Sequence, residues 1–277
     1  MAFKQILVPL LGYGGDRAAL RIAHQLAKLS DAHILALHIK ADALAETPLM
    51  VDVGVALGEL VEAAERHIEK RAQSARAAFE TFRAEHVQGN ILYREERGQS
   101  SQLLPAFGRM SDILVMGRPL ANDAMAASIM DVEHALFGSG HPVMLVPENI
   151  REDYPLLDMA LISWNNSVEA THAVGASLPL LSHVKRVGVV ALPDGDEGHS
   201  VTHMLEYLAR HNLSAHLMPI SKDEGSIPVR ILRLADKEKA GFIIMGAYTH
   251  SRLRQLILGG VTSHMVEKAD IPILMMH

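Results

Sequence analysis

The residues best suited to chemistry lie between Ile244 and His264, read Ile-Met-Gly-Ala-Tyr-Thr-His-Ser-Arg-Leu-Arg-Gln-Leu-Ile-Leu-Gly-Gly-Val-Thr-Ser-His. A buried apolar strand ends at Gly246, a polar loop follows, and the pair Gly259-Gly260 opens a helical run with Val261 and Thr262. In an open α/β sheet the crevice beyond the carboxyl ends of the strands is where ligands bind, and glycines there let backbone N–H groups approach phosphate oxygens. A helix starting near Val261 would add its positive end, and Thr262 a hydroxyl. Phosphate is the guest such a segment suits.

Such a loop needs strands and helices to hold it. Each half of the 277-residue chain alternates short aliphatic runs with longer amphipathic stretches, the rhythm of a parallel sheet with crossover helices. Strands are predicted near Ile6–Leu10, His33–Ile39, Asn90–Arg94, Asp112–Met116 and Pro142–Val146 in the first half. In the second they fall near Met159–Trp164, Arg186–Leu192, Ser214–Ile220, Gly241–Met245 and Ile271–Met276. The halves also match residue by residue: Asp112–Gly117 parallels Gly241–Gly246, and His141–Val146 parallels Ile271–Met276. This is the pattern of a duplication. The first half is longer, mostly through the Ala-, Glu- and Arg-rich segment Val55–Glu85, whose apolar spacing predicts one long helix. The division falls in the proline-bracketed stretch Pro147–Pro155, giving domains over 1–150 and 151–277.

The segment 244–264 resembles the nucleotide loop of the universal stress protein family, whose pattern is Gly, two residues, Gly, nine residues, Gly, then Ser or Thr. Gly246 and Gly259 stand at the first and third glycine positions, Thr249 at the second, and Gly260 at the Ser/Thr position. Leu161–Ser167 is similar to the family's first strand and Asp-x-Ser turn, with Asn165 in place of the aspartate. The resemblance implies two tandem domains, each a five-stranded parallel sheet with helices on both faces, of the adenine nucleotide alpha hydrolase-like, Rossmann-like class. It further implies a stress-linked binding or regulatory protein, not an enzyme, holding ATP or another adenine nucleotide, with Mg, in the second domain only. Adenine and ribose would lie against Asn165 and the end of the second strand near Leu192, with the phosphates over Gly246, Thr249, Gly259, Gly260, Val261 and Thr262. A β-branched Thr249 is strained if the motif needs positive φ there, and Gly260 lacks a hydroxyl worth about 1 kcal/mol. Two rival readings are a scaffold that binds no nucleotide and a slow ATP hydrolase.

The first half lacks these parts. After Gly117 the chain continues Arg118-Pro119-Leu120, with no second glycine at the required distance, and its first turn, Gly12-Tyr13-Gly14-Gly15-Asp16-Arg17, has no Asp-x-Ser. That turn nearly matches a dinucleotide fingerprint, but Arg17 stands where the third glycine belongs. There is no Gly-Lys-Ser/Thr P-loop, so an efficient NTPase is not expected. His199 and His203 share a helical spacing, but Ser200 stands where a zinc protease has Glu, and no metal site built from protein ligands is predicted. Trp164 either lines the pocket or closes the core.

Composition narrows the partners. A net charge of −6 and the lack of a basic run argue against nucleic acid and anionic membranes. With no cysteine, disulfides and thiolate metal sites are excluded. No apolar run approaches the roughly 20 residues of a membrane span, and the expected compartment is the cytoplasm. The halves are expected to pack as an intramolecular pseudo-dimer, Pro142–Val146 antiparallel to Ile271–Met276, because each half otherwise leaves an apolar strand edge unpaired. A homodimer stays open as a further expectation.

Overall fold

The structure is a computed structural model that describes residues 2–42, 57–86, 89–118, 125–191, 197–220, 225–247 and 260–277. In chain order its elements are β1 (Gln5–Pro9), α1 (Asp16–Lys28), β2 (His33–Lys40), α2 (Leu57–Glu85), β3 (Ile91–Arg97), α3 (Ser100–Gly108), β4 (Ile113–Gly117), α4 (Met125–Ser139) and β5 (Val143–Val146). The second half supplies β6 (Ala160–Trp164), α5 (Val168–Leu181), β7 (Val187–Ala191), α6 (Glu197–Arg210), β8 (Ala215–Leu217), α7 (Ile227–Glu238), β9 (Phe242–Gly246), α8 (Gly260–Lys268) and β10 (Ile273–Met276).

All ten strands join one sheet, in the order β3-β2-β1-β4-β5-β10-β9-β6-β7-β8. Within each half every pairing is parallel. The two five-stranded sheets expected from the sequence are therefore fused. At the seam β5 and β10 are antiparallel, with Leu145 opposite Ile273, Met144 opposite Leu274 and Val143 opposite Met275. The pairing satisfies backbone groups that two apolar edges would otherwise present to water. The remaining edges are defended differently: β8 is only three residues long, and β3 carries Arg94, Glu95, Glu96 and Arg97.

Parallel strands covered on both faces should be apolar throughout, and β4, β5 and β6 are wholly buried. Their alternation sorts side chains into two layers. Ile6, Val8, Ile113, Val115, Ile162 and Trp164 enter one; Leu7, Leu114, Met116, Leu161 and Ile243 enter the other. Both layers run through the seam, Leu274 and Met144 on one side and Leu145 and Met275 on the other. A core that continuous ties the halves together by burial as well as by hydrogen bonds.

The long helix forms as expected and α2 lies on α1, closed by Phe82 and Ala75 in the core. The connection between the halves is held at several points. Arg21 Nη1 donates to Ile150 O at 3.0 Å, Arg21 Nε meets the Glu152 carboxylate at 3.1 Å, and His86 Nε2 lies 2.7 Å from the same carboxylate. Tyr154 donates its hydroxyl to Gly241 O at 2.9 Å. Ile150 and Leu156 are buried there, which explains why a proline-bracketed polar stretch is not a loose linker.

Candidate functional site

The turn after β6 is built by its own short side chains. Asn165 Oδ1 accepts from Ser167 N at 3.3 Å and from Ser167 Oγ at 2.8 Å, and Ser167 Oγ in turn accepts from Ala170 N at 3.1 Å, capping α5. Asn166 sits between them at φ +59°, a conformation Asn tolerates better than most residues. With Oδ1 committed to Ser167, the remaining hydrogen-bonding capacity of Asn165 is donation from its NH2 group.

Gly246, at the end of β9, faces this turn. A Cβ placed on it would lie 2.5 Å from Ala170 N and 2.8 Å from Glu169 C, so the first turn of α5 rests on the bare glycine. The first half repeats the arrangement: a Cβ on Gly117 would stand 2.9 Å from the Gly15 carbonyl carbon at the start of α1. Both glycines therefore have a packing duty that needs no ligand. At Gly246 that duty also brings the Asn165 turn to the end of β9.

Helix α8 links β9 to the parallel β10, so it runs back against the strands and its N-terminus lies at the sheet edge that carries Gly246. Gly260 is exposed there, with no described residue within 4 Å of where its Cβ would be; Val261 is half-buried and Thr262 buried. Of the predicted site residues, Asn165, Gly246, Gly260, Val261 and Thr262 thus sit at the carboxyl edge of the second half. Leu192, Thr249 and Gly259 lie outside the described residues. Trp164 closes the core: it is 5% exposed and donates Nε1 to Ser200 Oγ at 2.8 Å. Among the described residues no cluster of three or more His, Asp or Glu could hold a metal ion, and no helix is long and apolar enough to cross a membrane.

In the first half the turn after β1 is covered by α2. Gly12, at φ +78°, lies under α2, and a Cβ on it would be 2.5 Å from Arg71 O and 2.8 Å from Arg71 Cα. Arg71 Nε donates to Leu11 O at 3.0 Å, and its guanidinium sits 4.9 Å from the Tyr13 ring centroid. Asp16 is buried and accepts from Leu11 N and Gly12 N, both at 2.9 Å. Burial pushes its carboxyl up to about 7, against the opposing pull of those N–H groups and of Arg71. His38 Nδ1 lies 2.7 Å from Leu10 O; a carbonyl only accepts, so Nδ1 carries the proton, and burial holds the imidazole below its ordinary pKa. Its Nε2 is buried with no hydrogen-bond partner among the described residues.

Sequence reading missed this cluster. Asp16 does not stand in an Asp-x-Ser turn, and its bond to the preceding loop carries no motif; the available signal was an acid at the first turn of a helix behind a glycine-rich turn. Arg71 is one of several arginines on a long helix, and only packing singles it out.

A duplicated, open α/β sheet with a glycine-lined turn and a helix N-terminus at the carboxyl edge of its second half defines a tandem Rossmann-like α/β protein. The universal stress protein family profile matches residues 168–277, within the second half of the chain. In fold the chain is similar to a universal stress protein from Archaeoglobus fulgidus, at 18% identity, TM-score 0.66, over 98% of this chain and 95% of that one. A functionally unknown protein from Pseudomonas aeruginosa is similar at 12% identity and TM-score 0.58, over 99% and 92% of the two chains. No curated protein matches the sequence.

Proposed function

We propose that this protein is a stress-linked regulatory module, dividing at residues 150 and 151, that binds ATP or another adenine nucleotide in its second domain only. The phosphates lie at the N-terminus of α8, over Gly260, Val261 and Thr262, with Asn165 donating to the nucleoside from the end of β6. The observation that carries this reading is the asymmetry between the two carboxyl edges. In the first half the α2 backbone at Arg71 presses on Gly12 and its guanidinium covers Tyr13; in the second half no described residue comes within 4 Å of a Cβ placed on Gly260. Helix N-terminal N–H groups and the macrodipole favour an anion there.

Turnover is not part of the reading, since no P-loop lysine is present in the sequence to stabilise a transferring phosphoryl group. Magnesium would arrive with the nucleotide, held by its phosphates. Acid extraction of the purified protein followed by nucleotide identification, together with calorimetric titration by ATP, tests the proposal. One site per chain is expected. Two equivalent sites, or no binding of ATP, ADP, AMP or cyclic AMP at millimolar concentration, refutes it.

A further inference from the structure

The two halves grip each other's helix ends, and they do so unequally. Arg118 follows Gly117 at the end of β4, and its backbone N–H bonds Val146 O at 2.7 Å, placing it beside the end of β5. Because β5 is antiparallel to β10, that end of β5 faces the start of β10 and the helix before it, α8. The Arg118 guanidinium crosses the seam there, its Nη1 donating to the main-chain carbonyl of Glu267 in the last turn of α8. Carbonyls of a last helical turn have no intrahelical partner and carry the negative end of the dipole, so a cation is well matched to them. The Glu267 carboxylate is engaged elsewhere, accepting from Ser263 Oγ at 3.0 Å.

The corresponding contact on the other side of the approximate two-fold is weaker. Ala247 follows Gly246 and has no side chain that could cross, although its N–H bonds Met276 O at 2.9 Å. His277 reaches over instead. Its Nδ1 lies 3.1 Å from Ala247 O, and its ring meets the edge of Phe137 in α4 at 4.6 Å between centroids. Among the described residues, the charged grip across the seam is made on α8, the helix whose other end carries Gly260, Val261 and Thr262.

Resting on the nucleotide reading above, we propose that Arg118 of the first half is a positioning residue for the nucleotide site of the second. Nine residues of helix span about 14 Å, and a rod held at its C-terminal turn has its N-terminal N–H groups held as well. Nucleotide affinity in the second half and packing across the seam are then coupled, and the coupling is reciprocal. The degenerate first half is retained as the support of the working one.

The test compares the full-length protein with Arg118→Met, which keeps the side chain's length without charge, and Arg118→Lys, which restores a cationic donor. Amide hydrogen exchange is followed over residues 260–268, and ATP affinity is measured by calorimetry. The Met variant is expected to speed exchange in α8 about tenfold and to weaken ATP about fivefold, while β6 and α5 keep their protection and the Lys variant recovers most of both. Unchanged α8 exchange in a folded Met variant overturns the grip. Loosened α8 with unaltered ATP affinity overturns the coupling. If the unaltered protein binds no ATP, the nucleotide reading fails and the coupling with it, while the exchange data still decide whether Arg118 holds the helix. Should the Met variant not fold, Lys decides: it is expected to keep most of the α8 protection and most of the ATP affinity, and wild-type ATP affinity alongside strongly loosened α8 overturns the proposal.

Discussion

Gly260→Ser separates a phosphate site from a bare helix end. A Cβ at position 260 meets no described residue within 4 Å, and the residue is exposed at the start of α8, so the substitution requires no repacking among the described residues. Serine has a better helix propensity than glycine at this first helical position, by a few tenths of a kcal/mol, which predicts an unchanged or slightly higher Tm. If phosphate oxygens lie over Gly260, Val261 and Thr262, the new hydroxyl adds one hydrogen bond to a charged acceptor. A net gain of about 1 kcal/mol corresponds to roughly fivefold tighter binding. Titration calorimetry with ATP, ADP and AMP reads the effect, which should be larger for ATP than for AMP because AMP places less phosphate near the helix. An affinity for ATP that is unchanged or weaker, with Tm held, shows that position 260 does not face phosphate. Equal gains for ATP and AMP place the hydroxyl against the nucleoside, which also contradicts the proposed orientation.

Gly246→Ala should damage the fold and not only binding, because its Cβ would lie 2.5 Å from a backbone nitrogen; a loss of about 1–3 kcal/mol, several degrees in a thermal melt, is expected. Gly117→Ala should behave alike against the Gly15 backbone, and a Tm within one degree of wild type for either variant contradicts the packing account. Asp16, with a native pKa raised by burial to about 7 from 3.8, takes up a proton on folding across that window, so its contribution is full near pH 4 and is lost as pH rises through 7. His24, lowered to about 4 mainly by burial, opposes this below about 6.5, so the measurement is a difference. Urea unfolding of Asp16→Asn minus wild type should favour the variant progressively from pH 4 to pH 8, and a flat difference counts against a raised Asp16. Arg71→Ala should cost stability yet leave ATP stoichiometry at one per chain, since the α2 backbone still covers Gly12; a second calorimetric site in this variant would show that the side chain alone closes the first half.

Much of this architecture is legible in the residues themselves. Runs such as Ile-Leu-Val-Met and Phe-Ile-Ile-Met at 113–116 and 242–245 can only be strands covered on both faces, and their recurrence before Gly117 and Gly246 reveals the duplication. Alanine-rich spacing over 55–85 calls for one helix, found at 57–85. The antiparallel seam follows from two apolar strands with no other neighbour. These are local properties, set by side-chain period and propensity within a few residues, and the placement of Asn165, Gly246 and Gly260 at one sheet edge follows from them by the handedness of crossovers.

What tertiary structure alone decided is which long-range approach each of these residues makes. The sequence marks Gly246 as a phosphate glycine, but it is the turn of α5 lying on it that forbids a side chain there. Nothing in the spacing of Asp16, His38 and Arg71 announces that they meet, nor that α2 closes the first half at Gly12. Arg118 and Glu267 are 149 residues apart, and their contact exists only because fusion of two sheets sets β5 beside β10. Pattern and propensity decay over a few residues, whereas burial of a polar group and the fit of a helix onto a backbone are properties of neighbours that only the folded chain assembles.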